Sequence, residues 1–200
     1  MTVRNRFHRV LGLTAAASLT LGAASITGCA SYGSYPEIGS DAAVNDTNVI
    51  PMPTLMRLAV TEVAERYGYT DAPYLVNWPK GTEMRTADRM IELMPGDAAR
   101  AMPGTLDRPT LHVTRVWLRV DTGTVEVLRP MLELGPKDDG TFAYEPVVVH
   151  LRTGALKPWR VVATRAWSPD TRNIPRVHLW EDEWAADEPM IEFDNANEDS

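Results

Sequence analysis

Three of the four histidines, those beyond residue 28, with one cysteine and a set of arginines interleaved with tryptophan, are the residues of this chain that could do chemistry. His112, His150 and His178 could ligate a metal or relay protons. None stands in a ligand spacing such as His-x-His or His-Glu-x-x-His, so no metal is expected. His112 and His150 fall in alternating, strand-like segments, where solvent-facing positions are expected. Ser168 precedes Pro169 and reads as a turn residue. No Gly-x-Ser-x-Gly elbow is present to expose an activated serine. Glycoside hydrolysis needs two carboxylates flanking a cleft, but most acids crowd the C-terminus and single out no pair. A P-loop, a Gly-x-Gly-x-x-Gly turn and EF-hand spacing are all missing, so no cofactor is implied. What stands out instead is Arg115, Trp117, Arg119, His150 and Arg152. Arg and Trp are enriched at binding hot spots, and they stack on sugars and meet anionic groups.

The elements that must position those five residues follow from periodicity. Met56, Ala59, Val60, Val63 and Tyr67 recur at helical spacing and predict a helix from Thr54, as N-cap, to Tyr67. Glu62 and Arg66 stand four apart on it, and Gly68 supplies a left-handed stop. Tyr74–Trp78 is a short strand. Met84, Ala87, Ile91 and Met94 form the stripe of a second helix over residues 83–94. Residues 96–109, rich in Gly and Pro, read as loop. The pattern then becomes alternating. Segments 110–120, 124–134, 142–153 and 159–167 predict four antiparallel strands joined by turns. A Thr122-Gly123 turn would set Val120 against Val125 and Arg119 against Glu126. The inward face would then be Val116, Leu118, Val120, Val125 and Val127. The outward face would carry Arg115, Trp117, Arg119, Val148, His150 and Arg152. On the last strand Trp159, Val161, Ala163 and Trp167 would share one face.

The expected fold is therefore α+β: a four-stranded antiparallel meander with two preceding helices packed on one face. By architecture alone it resembles cystatin-like or NTF2-like folds. The outward face is open to three readings: cover by a helix or by the acidic tail, a ligand or partner site, or plain exposure.

Arg4, Arg6 and Arg9 precede an apolar run from Val10 to Ile26 that is rich in Ala, Gly, Ser and Thr. A charged start, an apolar middle and a small-residue exit describe a signal peptide. It ends in Ile26-Thr27-Gly28-Cys29, and Cys29 is the only cysteine of the chain. This ending resembles the lipobox of bacterial lipoproteins at all four positions. The resemblance covers residues 1–29. It implies cleavage before Cys29 and acylation of Cys29 on its sulfur and its new amine, with palmitate-type chains holding the protein on a membrane. Ala30 and Ser31 follow in place of the Asp that retains such proteins at an inner membrane, so an outer membrane is favoured where there is one. Acylation would use up the one thiol and exclude disulfides.

Of the 20 Lys and Arg, three lie in the signal segment, so 17 remain against 27 acids, a side-chain charge of −10. That balance argues against nucleic acid and anionic head groups as partners. The expected organisation is a signal peptide over 1–28, the lipidated Cys29 and a flexible tether over 29–53, one domain over 54–180 and an acidic tail over 181–200. A coil of the tether's length reaches about 27 Å on average. The tail holds nine acids and no base, and it is expected to be disordered. The expected function is a lipid-anchored, non-enzymatic binding or structural module of the cell envelope, with an envelope protein or glycan as partner. The rival is an envelope hydrolase whose site has no recognisable motif.

Overall fold

The computed structural model describes residues 32–38, 45–103 and 108–177. Strand β1, Tyr32–Tyr35, precedes helix α1, Met52–Arg66. Strand β2, Tyr74–Asn77, helix α2, Met84–Ile91, and strand β3, Ala98–Arg100, follow. Four long strands come last: β4, Thr110–Arg119; β5, Thr122–Pro130; β6, Tyr144–Gly154; and β7, Lys157–Ala166. The fold is α+β. Strands β4 to β7 pair antiparallel in succession.

The sheet has seven strands rather than the expected four, in the order β3-β2-β4-β5-β6-β7 with β1 beside β4. β2 pairs in parallel with both β3 and β4. β1 is antiparallel to the far half of the same β4 edge. These three strands are only three or four residues long. β2 falls on the short strand expected at Tyr74–Trp78; β1 and β3 carry no readable alternation, and only their partners reveal them. The span expected to be tether thus belongs partly to the domain, since Tyr32–Tyr35 is a strand and Thr47 is buried. Cys29, His178 and the acidic tail lie outside the described residues.

Helix α1 buries Leu55, Met56, Ala59, Val60, Val63 and Ala64, a stripe at three- and four-residue spacing. Each large apolar side chain so buried contributes about 1.5–3 kcal/mol. The stripe lies against β4, β5, β6 and β7. The helix begins two residues before the expected Thr54. Pro51 stands at the cap and Pro53 in the first turn, where its missing N–H costs nothing. Arg66 bonds Glu62 at 2.6 Å, and Gly68 is left-handed at φ 73°. Helix α2 packs on α1 and β3 at the side of the sheet, not on the meander as expected.

Two departures in register matter. The β4–β5 turn is Val120-Asp121, so Val116 stands opposite Val125, Arg115 opposite Glu126 and Arg119 opposite Thr122. The shift is even, so the faces keep their sense and Val116, Leu118, Val125 and Val127 are buried. Val120, expected inside, is 62% exposed at the tip. On β7 a bulge after Val161 places Ala163 opposite His150 and Val161 opposite Leu151. The bulge splits the expected single face: Trp159 and Val161 pack on the core, while Trp167 is 53% exposed.

Below the C-terminal end of α1, the buried Arg129 bonds Glu133 at 2.6 Å and Glu145 at 2.7 Å, with its guanidinium 3.8 Å above the Tyr67 ring. Burial pushes the neighbouring Tyr69 hydroxyl up to about 12, and that hydroxyl donates to the Pro130 carbonyl.

Gly123 sits under α1, where an added Cβ would lie 2.9 Å from Leu55 Cδ2. Gly123→Val should therefore overpack the helix–sheet contact and cost about 1–3 kcal/mol. Urea unfolding of the two proteins measures this, and an unchanged midpoint would show that α1 does not seat on β5 as described.

Candidate functional site

The β4 strand reads Thr110-Leu111-His112-Val113-Thr114-Arg115-Val116-Trp117-Leu118-Arg119. Leu111 and Val113 face the core, and so do Val116 and Leu118, which simple alternation forbids. A bulge at Thr114 reconciles the two halves: Val113 opposes Val127 and Arg115 opposes Glu126, leaving Thr114 extra. The Thr114 hydroxyl donates to Glu126 Oε1 at 2.8 Å, which ties the bulge across to β5. The consequence is that Arg115, Trp117 and Arg119 all point away from α1.

All five residues singled out from the sequence meet on this outer face. Arg119, Thr122, Arg152 and Arg160 form one cross-strand row. Trp117, Thr124, His150 and Ala163 form the next, and Arg115, Glu126, Val148 and Arg165 the third. Trp117 is 64% exposed. His150 Nδ1 lies 3.4 Å from Thr124 Oγ1, and Arg152 Nε lies 3.3 Å from Asp121 Oδ2. Arg115 and Arg119 form no ion pair among the described residues. Arg160 and Arg165 enlarge the basic surface. The β7 bulge hides the facing of Arg165 in the sequence, whereas Arg160, before the bulge, alternates outward between Trp159 and Val161.

A groove of about 400 Å³ borders this surface. Arg115, Trp117 and Val148 form one side, and Tyr35, Pro36 and Ile38 form the other. Two acids join it, Glu37 and Glu126. Glu126 is buried and also receives Arg172 Nε at 3.4 Å. The groove is therefore amphipathic and mixed in charge, with an aromatic wall. Such a lining offers stacking, hydrogen-bond and ionic contacts to a ligand.

His112 departs from expectation. It lies on the same face but before the bulge, and it is only 3% exposed. The chain after β7 folds back over this half of the sheet. Trp167 N–H donates to the Pro146 carbonyl and Asp170 N–H to the Tyr144 carbonyl. Asn77 Nδ2 lies 3.0 Å from His112 Nδ1, so Asn77 donates and the ring proton sits on Nε2. The Tyr144 ring meets the imidazole edge-on at 5.4 Å. His112 lines a cavity of about 890 Å³ with Phe142, Tyr144, Arg108 and Arg176, but no Ser, Cys, Asp or Glu is among its described lining residues. Burial pulls the imidazole down to about 4. Among the described residues, no group of three His, Cys, Asp or Glu is placed to hold a metal ion.

No family model, no curated protein and no solved structure matches the chain significantly.

Two outcomes are expected. Trp117→Ala removes exposed surface only, so stability should move by less than about 0.5 kcal/mol; a larger loss in thermal unfolding would mean that the ring packs as core. His112 binds its proton near 6.5 when unfolded and about 4 when folded. Between those values the unfolded chain takes up the extra proton, so stability is full above pH 6.5 and declines toward pH 4, by roughly 3 kcal/mol. Denaturant titrations at pH 7.5 and 4.5 should show His112→Gln losing distinctly less stability than the wild type over that interval. Equal losses would refute a buried neutral imidazole.

Proposed function

We propose that this chain is a lipid-anchored envelope protein that acts as a binding module through its outer sheet face. The observation that carries the binding reading is Trp117, largely exposed between two arginines that have no ion-pair partner among the described residues, and beside an amphipathic groove. An exposed aromatic on a rigid strand loses little entropy on contact and offers a stacking surface. The partner it fits is an envelope glycan or protein with planar apolar groups and hydrogen-bond acceptors. No cofactor or nucleic acid enters this reading.

The anchor rests on Ile26-Thr27-Gly28-Cys29 behind a basic and then apolar start. Acyl chains on Cys29 would hold the protein on a membrane, the outer one where there is one. No helix of the described residues is long and apolar enough to cross a membrane. In architecture we read the fold as cystatin-like or NTF2-like: α1 laid across the antiparallel run β4–β7 supports this, with β1, β2 and β3 as additions.

The rival, an envelope hydrolase, would have to work at the His112 cavity or at the two groove carboxylates, Glu37 and Glu126. The His112 cavity offers a neutral imidazole and two arginines, but no described serine, cysteine or carboxylate to act with them.

Cys29→Ala should move the protein from the membrane to the soluble fraction; retention through high-salt washing would defeat the anchor. Affinity capture from detergent-solubilised envelope, with wild type against Trp117→Ala and Arg115→Ala, should show a partner that both variants lose. A partner held equally by all three would place binding elsewhere.

A further inference from the structure

Pairing of β1 with β4 changes what the anchor does. Tyr32 stands opposite Arg119, the last residue of β4, so the described domain begins three residues after Cys29. Three residues span at most about 11 Å. If Cys29 carries acyl chains, that end of the sheet is held at the bilayer surface, not set free by a 27 Å tether.

The same sheet end is built unusually. The β4–β5 tip is Val120-Asp121 and the β6–β7 tip is Ala155-Leu156, joined by Thr153 N–H donating to the Asp121 carbonyl at 2.9 Å. Val120 takes φ 50° and Leu156 φ 61°. Left-handed turn positions favour Gly, Asn or Asp, and a β-branched residue there is strained. Asp170, the third described non-glycine residue at positive φ, fits that preference and bonds Tyr144 N–H and Lys137. Val120 and Leu156 have no such reason, and they point their side chains into solvent at 62% and 106% exposure. Tyr32 is 39% exposed beside them. Around these apolar tips stand Arg119, Arg152, Arg160 and Lys157, with Asp121 the one acid, already bonded to Arg152.

We propose that this end of the sheet docks on the membrane: Val120 and Leu156 enter the interfacial layer, Tyr32 lies at head-group depth, and the four cations meet lipid phosphates. The proposal rests on acylation of Cys29 and deepens the envelope reading. Tyrosine belongs to the interfacial belt, long basic side chains extend to phosphates, and apolar tips combined with cations are what a lipid surface binds. The side-chain charge of −10 that remains beyond the signal segment argued against anionic head groups, but it is an average. Nine of the acids lie in the C-terminal twenty residues, whereas at the sheet end nearest Cys29 four cations stand with Asp121 as the one acid among the described residues of the tips. The Trp117 row lies one step above the membrane row, so the groove would open just over the bilayer.

Acylation leaves no free thiol, so a single new cysteine can be labelled alone. Leu156→Cys tests the tip, and Asp138→Cys, in the exposed turn at the opposite end of the sheet, is the reference. Acylated protein carrying an environment-sensitive dye is reconstituted in vesicles of phosphatidylethanolamine and phosphatidylglycerol containing a quencher-bearing lipid. The dye at 156 should shift to the blue and lose emission to the quencher, while the dye at 138 keeps its aqueous emission. If both dyes stay aqueous on protein that floats with the vesicles, docking is overturned and the lipid anchor stands. Protein that does not float and shows two free thiols overturns the anchor, and the docking with it.

Discussion

The structure turns on one extra residue in β4. Without the bulge at Thr114, strict alternation would continue the inward facing of Leu111 and Val113 to Arg115 and Trp117. Two arginine- and tryptophan-bearing positions would then be driven into the core, and Val116 and Leu118 would be exposed. Burying a single unpaired charge costs several kcal/mol, so no such register could survive. The bulge exchanges one ladder position for a strand that is apolar toward α1 along its whole length. Its own hydroxyl is satisfied by Glu126, so the interruption leaves no orphaned group at that point.

The bulge also divides one edge of β4 between two partners. Before it, β2 pairs in parallel; after it, β1 pairs antiparallel. The first pairing brings Asn77 beside His112 and closes the buried polar pocket at one end of the sheet. The second brings the start of the domain to the far end, beside both hairpin tips. The outer face acquires two characters as a result. One half is covered by the chain that returns after β7, pinned by Arg172 on Glu126 and by backbone bonds to β6. The other half stays open and basic. The cover is neither the helix nor the acidic tail that the sequence suggested: it is the segment 167–177, and the tail lies outside the described residues.

Much of this was legible in the chain. Core stripes at helical spacing located α1 and α2, because burial of one helix face imposes a period that few sequences mimic by chance. The alternating valines of β5 and β6 located the meander and the sense of its faces, since a slip of one residue would have inverted them. The even shift in the hairpin register went unseen for the same reason: it leaves the faces unchanged and alters only which charges stand opposite. Arg119 and Glu126 could not be told from Arg115 and Glu126 on pattern alone.

The sequence by itself determined the α+β class, the inward-facing apolar set except Val120, Ala163 and Trp167, and the gathering of Arg115, Trp117, Arg119, His150 and Arg152 on one face. These follow from local periodicity and from the cost of burying charge. Tertiary structure decided the short strands β1 and β3, the parallel pairing of β2, the depth of His112 and the side of the sheet that α2 occupies. Segments of three or four residues have too little pattern to declare a partner, and burial of a strand histidine depends on what folds over it: Asn77 comes from 35 residues away, and it is joined in turn by Arg176, 99 residues from Asn77. The placement of Tyr32 three residues beyond Cys29 is of that second kind. Composition described a free tether there, and the open edge of β4 drew the chain into the sheet.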